Sequence, residues 1–502
     1  MKKLFVLALV IFVFLTSLNF AIPVSSCQVI SQPGNYELTN DLFGTGSTLQ
    51  GTLGVSDICI HITSSDVNLD CMGYAIRGPL VPGLTPATGV FAGLSRQDEP
   101  PPFPSTLNNV NVFNCVLETY TTGIEVVRVN NARVQNVLSK YNTQGGISFF
   151  NVQQGSMSAS TFSNNPYGAY IGYSSGITVN ENTITNSRSQ LPGTYIGLFV
   201  VSLSDSVISY NTVRENQNGL ELLGSSNNNQ IFGNIISNNF VAAGESAPYS
   251  TGLGVGGGSG NILFDNQIMD NYGYGLQIYG NSNSGNTYSR NTISNNQNNV
   301  DLLDSNLNQF IENFISDGSN YGIQIRRSRG NKFIRDTLSN NLVDFIVQPS
   351  NYFNPPPLNQ TPLQPDLILD DELLRKVNGI NSNQLKLSLV DDLVVNENYQ
   401  LSILSAQNAP VPPANQISFT NKYLNIQQVP GAPQNPFMVD SLQLKWDDSE
   451  VIPGVYNENN FEAWSYMAPN WNLVSNNPDT VNNVLSLNDL NQYSVYGILQ
   501  RP

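Results

Sequence analysis

Residues 266–302 read NQIMDNYGYGLQIYGNSNSGNTYSRNTISNNQNNVDL, and two short patterns recur inside this stretch. One is an Asn followed two residues later by an aliphatic side chain, as in NQI at 266 and NTI at 291. The other is Gly, aliphatic, any residue, aliphatic: GLQI at 275–278, with a degenerate copy, NVDL, at 299–302. The step from Asn266 to Asn291 is 25 residues, and from Asn291 to the Asn of NFI at 313 it is 22. A period in the range of 20–50 residues marks a stacked array of one small unit.

Both patterns persist outward from this stretch. The glycine pattern appears as GVFA (89–92), GIEV (123–126), GISF (146–149), GAYI (168–171), GLFV (197–200), GLEL (219–222), GLGV (252–255) and GIQI (322–325). CIHI (59–62) and LVDF (342–345) complete a set of twelve copies. The Asn pattern continues at 136, 182, 211 and 234, and Asn114 and Asp336 fit its register. Longer gaps at 190–194 and 242–251 read as insertions. Each element suits a strand of three to five residues whose alternate aliphatics share one side. Gly and Asn accept the left-handed backbone that a tight corner demands, and an Asn at one corner of every coil can stack as an amide ladder. A lone coil buries too little apolar surface to offset the ordering of its backbone, so the coils must stack. These features predict an all-β chain whose larger part, 27–350, is a right-handed parallel β-helix of about twelve coils. A leucine-rich solenoid has a similar period, but it needs Leu at fixed spacing, and here Ile and Val with Gly-x corners prevail.

Composition bounds the partners. The chain has 502 residues, 12% charged and 10% aromatic, with a net charge of −16. Low charge with ample aromatics argues for a folded chain. An acidic surface repels phosphate backbones, which excludes nucleic acid as the expected partner. Lys2 and Lys3 before the apolar run Leu4 to Leu15, with Ser25 and Ser26 following, read as a signal peptide over 1–26 and a secreted or cell-surface protein. Two other readings stand beside it: a retained anchor extending to Ile22, interrupted by Thr16, Ser17 and Asn19, and a lipobox at Val24-Ser25-Ser26-Cys27 that would put a lipid on Cys27. Contact with a membrane is expected only through that segment, and oligomeric state is not legible.

Beyond the repeat, QPSNYFNPPPLNQTPLQP (348–365) is a Pro- and Asn-rich run, and a linker is expected over 351–365. LKLSLV, YQLSIL, QISFT, YLNIQ, SLQLKW and YSVYGIL then alternate apolar and polar residues, which predicts a β-sandwich over 366–502.

The coils resemble the right-handed β-helix repeats of pectate-lyase-like and NosD-type proteins. The opening, CQVISQPGNYELTNDL (27–42) followed by CIHITSSDVNLDCMGYAIRG (59–78), resembles the capping coil of secreted, often archaeal, β-helix proteins. The ending, WNLV (471–474) and NNVLSLNDLNQYSVYGIL (482–499), resembles sandwich modules at the ends of archaeal surface proteins, which serve adhesion or spacing. In this register Cys71 and Cys115 fall at neighbouring corners of successive coils, so the resemblance implies Cys71–Cys115 and Cys27–Cys59 disulfides, in keeping with an even cysteine count in an exported chain. It is specific for fold and not for activity, because the superfamily holds lyases, hydrolases, epimerases and non-enzymes.

In a β-helix a site appears as neighbours in the repeat register. The variable position of the glycine pattern gives an outward column: His61, Phe91, Glu125, Ser148, Tyr170, Phe199, Glu221, Gly254, Gln277, Asp301, Gln324 and Asp344. Two residues further on stand Tyr279, Leu303 and Arg326. Tyr279, Asp301, Asp304, Arg326 and Arg327 are therefore expected together, with Arg329, Lys332 and Arg335 on the next face. Arginines there can grip carboxylates or sulfates bidentately, or pair with the aspartates as a surface ion-pair ladder. Phe150, Tyr170, Tyr173 and Phe199 form an aromatic set suited either to stacking on sugar faces or to packing. His61 lacks the carboxylate partner a general base needs. Polygalacturonase-like hydrolases carry an Asp-Asp and a histidine turn that this chain lacks within the coils; calcium-dependent lyases need a carboxylate cluster, which only Asp301 and Asp304 near Arg326 approximate. With one histidine and no CxxC pair, no metal site or cofactor is expected, calcium being the one ion the aspartates suggest. The resulting expectation is a protein that binds polysaccharide or cell-envelope glycan, with no evident catalysis. The alternatives are a polysaccharide lyase or glycoside hydrolase at Asp301, Asp304, Arg326 and Arg327, and a structural adhesion protein.

Overall fold

The structure is a computed structural model that describes residues 21–44, 58–78, 88–94, 106–187, 195–241, 250–348, 367–377, 380–392, 398–404, 408–430 and 437–502. The apolar run at 4–15, the whole of the 351–365 linker, the insertion at 190–194 and residues 242–249 of the other insertion lie outside the described residues. The chain divides into two compact units, Met1–Ser189 with Gly197–Phe199 and Leu203–Val207, and Gln190–Ile196 with Val200–Ser202 and Ile208–Pro502. Among the described residues no helix is long and apolar enough to cross a membrane.

In each unit the strands fall into three parallel columns, one strand of each per coil. In the first unit the first column runs through Gln28–Ile30, Ile58–Ile62, Thr88–Ala92, Thr122–Val127, Gly145–Phe150 and Tyr167–Gly172, all in register. In the second it runs through Asn218–Leu223, Thr251–Gly256, Tyr274–Tyr279, Asn298–Leu303, Tyr321–Arg326 and Val343–Gln348. The two aliphatics of each repeat point inward and are fully buried, for example Ile147 and Phe149, Val300 and Leu302. Tyr288, Phe310 and Phe333 add an interior stack with ring centroids 4.8 and 4.7 Å apart, the layer spacing of a β-sheet.

Asparagine does more than the single corner ladder expected. The second unit holds three inward amide ladders, Asn229–Asn261–Asn286–Asn308–Asn331, Asn211–Asn234–Asn266–Asn291–Asn313 and Asn216–Asn239–Asn271–Asn296, one at each corner. Asn266 shows the geometry: its Nδ2 donates to Ile231 O (2.8 Å) and Asn291 Oδ1 (3.0 Å), and its Oδ1 accepts from Asn234 N and Nδ2. The buried Asn266 amide is thus satisfied at both its nitrogen and its oxygen, as burial requires.

Several sequence expectations shift. The left-handed corner residue is not the ladder Asn but the residue before it, and it is held by Glu181, Asp265, Arg290 or Glu312 as readily as by Gly233. The ladder Asn is fixed instead by its inward hydrogen bonds. Asn114 and Asn136 occupy that left-handed position, one residue ahead of the ladder register, and form an outward ladder on Asp70. In their coils the inward position belongs to Cys115 and Val137. The last glycine-pattern copy moves by two residues: Val343 pairs with Tyr321 and Phe345 with Ile323, so Ile346 neighbours Gln324 and Asp344 leaves the outward column. Asp344 is buried, where its carboxylate accepts from Ile403 N. Cys27–Cys59 and Cys71–Cys115 are both disulfide-bonded.

The C-terminal part is built from two antiparallel sheets that extend the coil columns of the second unit. Leu367–Val377 pairs parallel with Asn331–Ser339, then Ile380–Asp391, Val439–Lys445 and Val484–Leu490 follow antiparallel. On the other side Val343–Gln348 pairs with Tyr399–Ile403, followed by Ile417–Gln428, Ser494–Gln500, Phe461–Met467 and Asn470–Ser475. QISFT and YLNIQ, read as two strands, are halves of Ile417–Gln428, which carries an irregularity between Ser418 and Tyr423. Leu387, Leu389, Leu442, Leu485, Leu401, Phe419 and Phe461 fill the space between the sheets, giving the β-sandwich.

Candidate functional site

In the first unit the outward side of the first column gathers aromatic rings. Phe150 ends its strand beside Gly172 of the next coil and packs partly against Ile58, Phe91 and Val127. Its ring meets Tyr173 edge-on at 5.4 Å. Tyr170 lies 5.5 Å from Phe199, and Tyr167, which the sequence reading passed over, stacks on Phe199 at 5.6 Å with planes 19° apart. Gly172 makes this possible, because a Cβ there would stand 2.4 Å from the Tyr170 hydroxyl. Tyr173 sits at a left-handed corner and is 58% exposed, whereas burial of Tyr170 pushes its phenol above the usual value. The four rings of the expected set are therefore one cluster, with Tyr173 as its open edge.

His61 stands apart from it. The imidazole Nε2 lies 3.0 Å from Gly93 O and the ring meets Phe91 edge-on. Burial lowers its pKa, so the ring is neutral and hydrogen-bonded near pH 7.

In the second unit each aspartate of the expected cluster is claimed by its own arginine. Arg326 donates through Nε and Nη2 to Asp301 (2.9 and 2.6 Å), and Gln277 adds a third donor at 3.2 Å. Asp301 is wholly buried although it points outward. Arg327 grips Asp304 in the same bidentate way (2.8 and 2.5 Å), and Arg335 holds Glu312. Asp301 and Asp304 thus do not converge on a common point, and among the described residues no cluster of three His, Cys, Asp or Glu side chains is placed to hold a metal ion. Chemically the arrangement neutralises charge on the sheet face.

Tyr279 does something else. Its phenol donates to Glu221 Oε2 at 3.1 Å, reaching back two coils over Gly254 and Gly256. A Cβ at Gly254 would stand 2.1 Å from that carboxylate oxygen, and one at Gly256 would stand 2.6 Å from the Tyr279 ring. Burial pushes the Glu221 carboxyl up to about 7 against the opposing effect of the tyrosine bond. The pair is a protonatable acid beside a phenol. Glu221 was only one member of a column in the sequence; its signal is the run GLGVGGG at 252–258, whose glycines clear the space it fills.

The sequence profile described as "Right handed beta helix region" matches residues 105–266 and 251–354. None of the curated proteins searched matches the chain. Among solved structures, the Dettilon tailspike protein aligns with 96% of this chain and 86% of its own at 14% identity and a TM-score of 0.43. The mannuronan C-5 epimerase AlgE6 A-module of Azotobacter vinelandii aligns with 65% and 76% at 15% identity and a TM-score of 0.36. The periplasmic alginate epimerase AlgG aligns with 68% and 77% at 14% identity and a TM-score of 0.42. The profile match, together with the in-register parallel columns, identifies the chain as a right-handed parallel β-helix protein.

Proposed function

We propose that this protein binds a polysaccharide, with cell-envelope or environmental glycan as its natural partner, on the outward side of the first strand column. The observation that carries the reading is the ring cluster Phe150, Tyr167, Tyr170, Tyr173 and Phe199, in which the solvent-facing Tyr173 is buttressed at 5.4 Å by Phe150. Flat rings with an apolar face and a polar tip suit a pyranose, which is apolar on its faces and polar at its rim. The two disulfides support an oxidising, extracellular or periplasmic setting.

Titration calorimetry of the full chain against neutral and acidic oligosaccharides tests the reading. Tyr173→Ala should weaken the best ligand about tenfold, the order expected for losing one exposed aromatic contact, while Tyr173→Phe retains it. Absence of binding across the panel, or unchanged affinity in Tyr173→Ala, sinks the proposal.

A catalytic reading is favoured by one observation, the Glu221–Tyr279 pair with its near-neutral carboxyl. A buried acid with a raised pKa is a recurrent catalytic feature. That reading requires polysaccharide cleavage or epimerisation that disappears in Glu221→Gln.

A further inference from the structure

The second unit carries another set of rings, at the corner between its second and third strand columns. Phe232 ends the strand Gln230–Phe232 and Phe264 ends Ile262–Phe264; they are direct register partners on adjacent coils. Their rings stack at 4.7 Å with planes 14° apart. Tyr210, in the left-handed corner one coil earlier, turns its ring across Gly233 and meets Phe232 edge-on at 5.4 Å. Gly233 is the reason it can: a Cβ there would stand 2.6 Å from Tyr210 Cε1. At the far end the Arg290 guanidinium lies 5.6 Å from the Phe264 ring centre.

The same stack geometry serves packing inside the coils, where Tyr288, Phe310 and Phe333 are fully buried. The outer set faces solvent, with Tyr210 at 59% exposure, so core packing does not explain it. The flanking charges are neutralised in pairs: Arg290 on Asp265, Arg214 on Glu215, and Arg335 on Glu312. Each of these arginines is engaged by a carboxylate, and the net charge of −16 opposes polyanions. The strip is one ring wide at each coil, and the outward positions beside it run through Gln230, Ile262, Thr287 and Gln309, three of them polar. A protein partner would want roughly 800 Å² of buried surface on each side, whereas an extended glycan running from coil to coil meets one ring per layer.

We propose that Tyr210, Phe232 and Phe264 form a second carbohydrate-binding strip, selective for an extended neutral glycan. It is independent of the first-column cluster, since none of its residues belongs to that unit. The test is calorimetry of the full chain with neutral hexaoses derived from glucan, mannan and xylan, beside uronate hexaoses. A neutral hexaose should bind, and Tyr210→Ala and Phe264→Ala should each lower its affinity about tenfold. Gly233→Ala, which displaces the Tyr210 ring, should do the same. Tyr210→Phe should bind like the parent, and thermal melts identify any variant that loses affinity by unfolding. Neutral binding that survives both Tyr210→Ala and Phe264→Ala overturns the strip, as does a preference for uronates. Loss in Tyr173→Ala with none in Tyr210→Ala likewise overturns it while leaving the first-column site standing. The reverse result keeps the strip and removes the first-column site.

Discussion

At the scale of single residues, the direction of the ladder hydrogen bonds explains Asp336. Each ladder Asn donates its Nδ2 to the next coil, so the last member needs only to accept: Asp336 Oδ1 receives Asn313 N at 2.7 Å and Nδ2 at 2.8 Å. Burial pushes its carboxyl up to about 7, against the lowering effect of those bonds. A folded-state value above the unfolded 3.8 means that the acid form stabilises the fold below about pH 4. That contribution is lost as the pH rises through about 7. Glu221 acts with the same sign. Asp336→Asn should therefore raise stability at pH 8 by something on the order of 2 kcal/mol and flatten the decline between pH 4 and 8, read from urea midpoints across pH. A variant that is no more stable than the parent at pH 8 would show that Asp336 is not strained by its charge. The sequence placed Asp336 in the ladder register but said nothing of its ionisation, because burial of that corner follows from stacking and not from local pattern.

At the scale of the coil, the amides are the specifying feature. Asn229, Asn234 and Asn239 are five residues apart, as are Asn261, Asn266 and Asn271, and Asn286, Asn291 and Asn296. This triplet marks all three corners of a coil and was legible, but a search keyed to one Asn and its following aliphatic finds only the middle ladder. Asn266→Ala removes a side chain that makes four hydrogen bonds and leaves Ile231 O and the neighbouring amides unpaired. It should cost about 2–4 kcal/mol, whereas Asn295→Ala, changing an exposed corner residue, should cost about 1 kcal/mol or less. Equal midpoints in denaturant for the two variants would contradict the role given to the ladders. The first-column aromatics were also legible from register alone, since outward positions alternate reliably with inward ones. Tyr210, Phe232 and Phe264 were not, because they lie on another column and depend on the side-chain space left by Gly233. The pairing of Asp301 with Arg326 escaped a decision for a related reason: register brings such residues near, but the rotamers decide whether they face each other or a ligand.

At the scale of the whole molecule, the disulfides and the sandwich address one problem, which is that a stack of coils ends in unpaired strand edges. Cys71–Cys115 occupies the inward corner position that Asn fills in later coils, with Cα atoms 4.8 Å apart. Replacing both with Ser should cost about 3–4 kcal/mol, since the bond closes a 44-residue separation, and the loss is read by melting with and without reductant. In the second unit the edges of Asn331–Ser339 and Val343–Gln348 are covered by Leu367–Val377 and Tyr399–Ile403. Truncation after residue 348 should therefore leave soluble yield sharply reduced and oligomers on size exclusion. A monodisperse truncated chain would show that the sandwich is dispensable to the coils. The sheet-to-sheet continuity was not readable from the alternating strands of 366–502, because strand alternation fixes which side is buried and leaves the pairing partner open.

Whether solvent-facing rings on the coils engage sugar is decided by a crystal structure of the chain with its best-binding oligosaccharide. A pyranose face should be found stacked on Tyr173 beside Phe150, in contact distance of the ring. A bound oligosaccharide that touches none of Phe150, Tyr170, Tyr173, Phe199, Tyr210, Phe232 or Phe264 would contradict it.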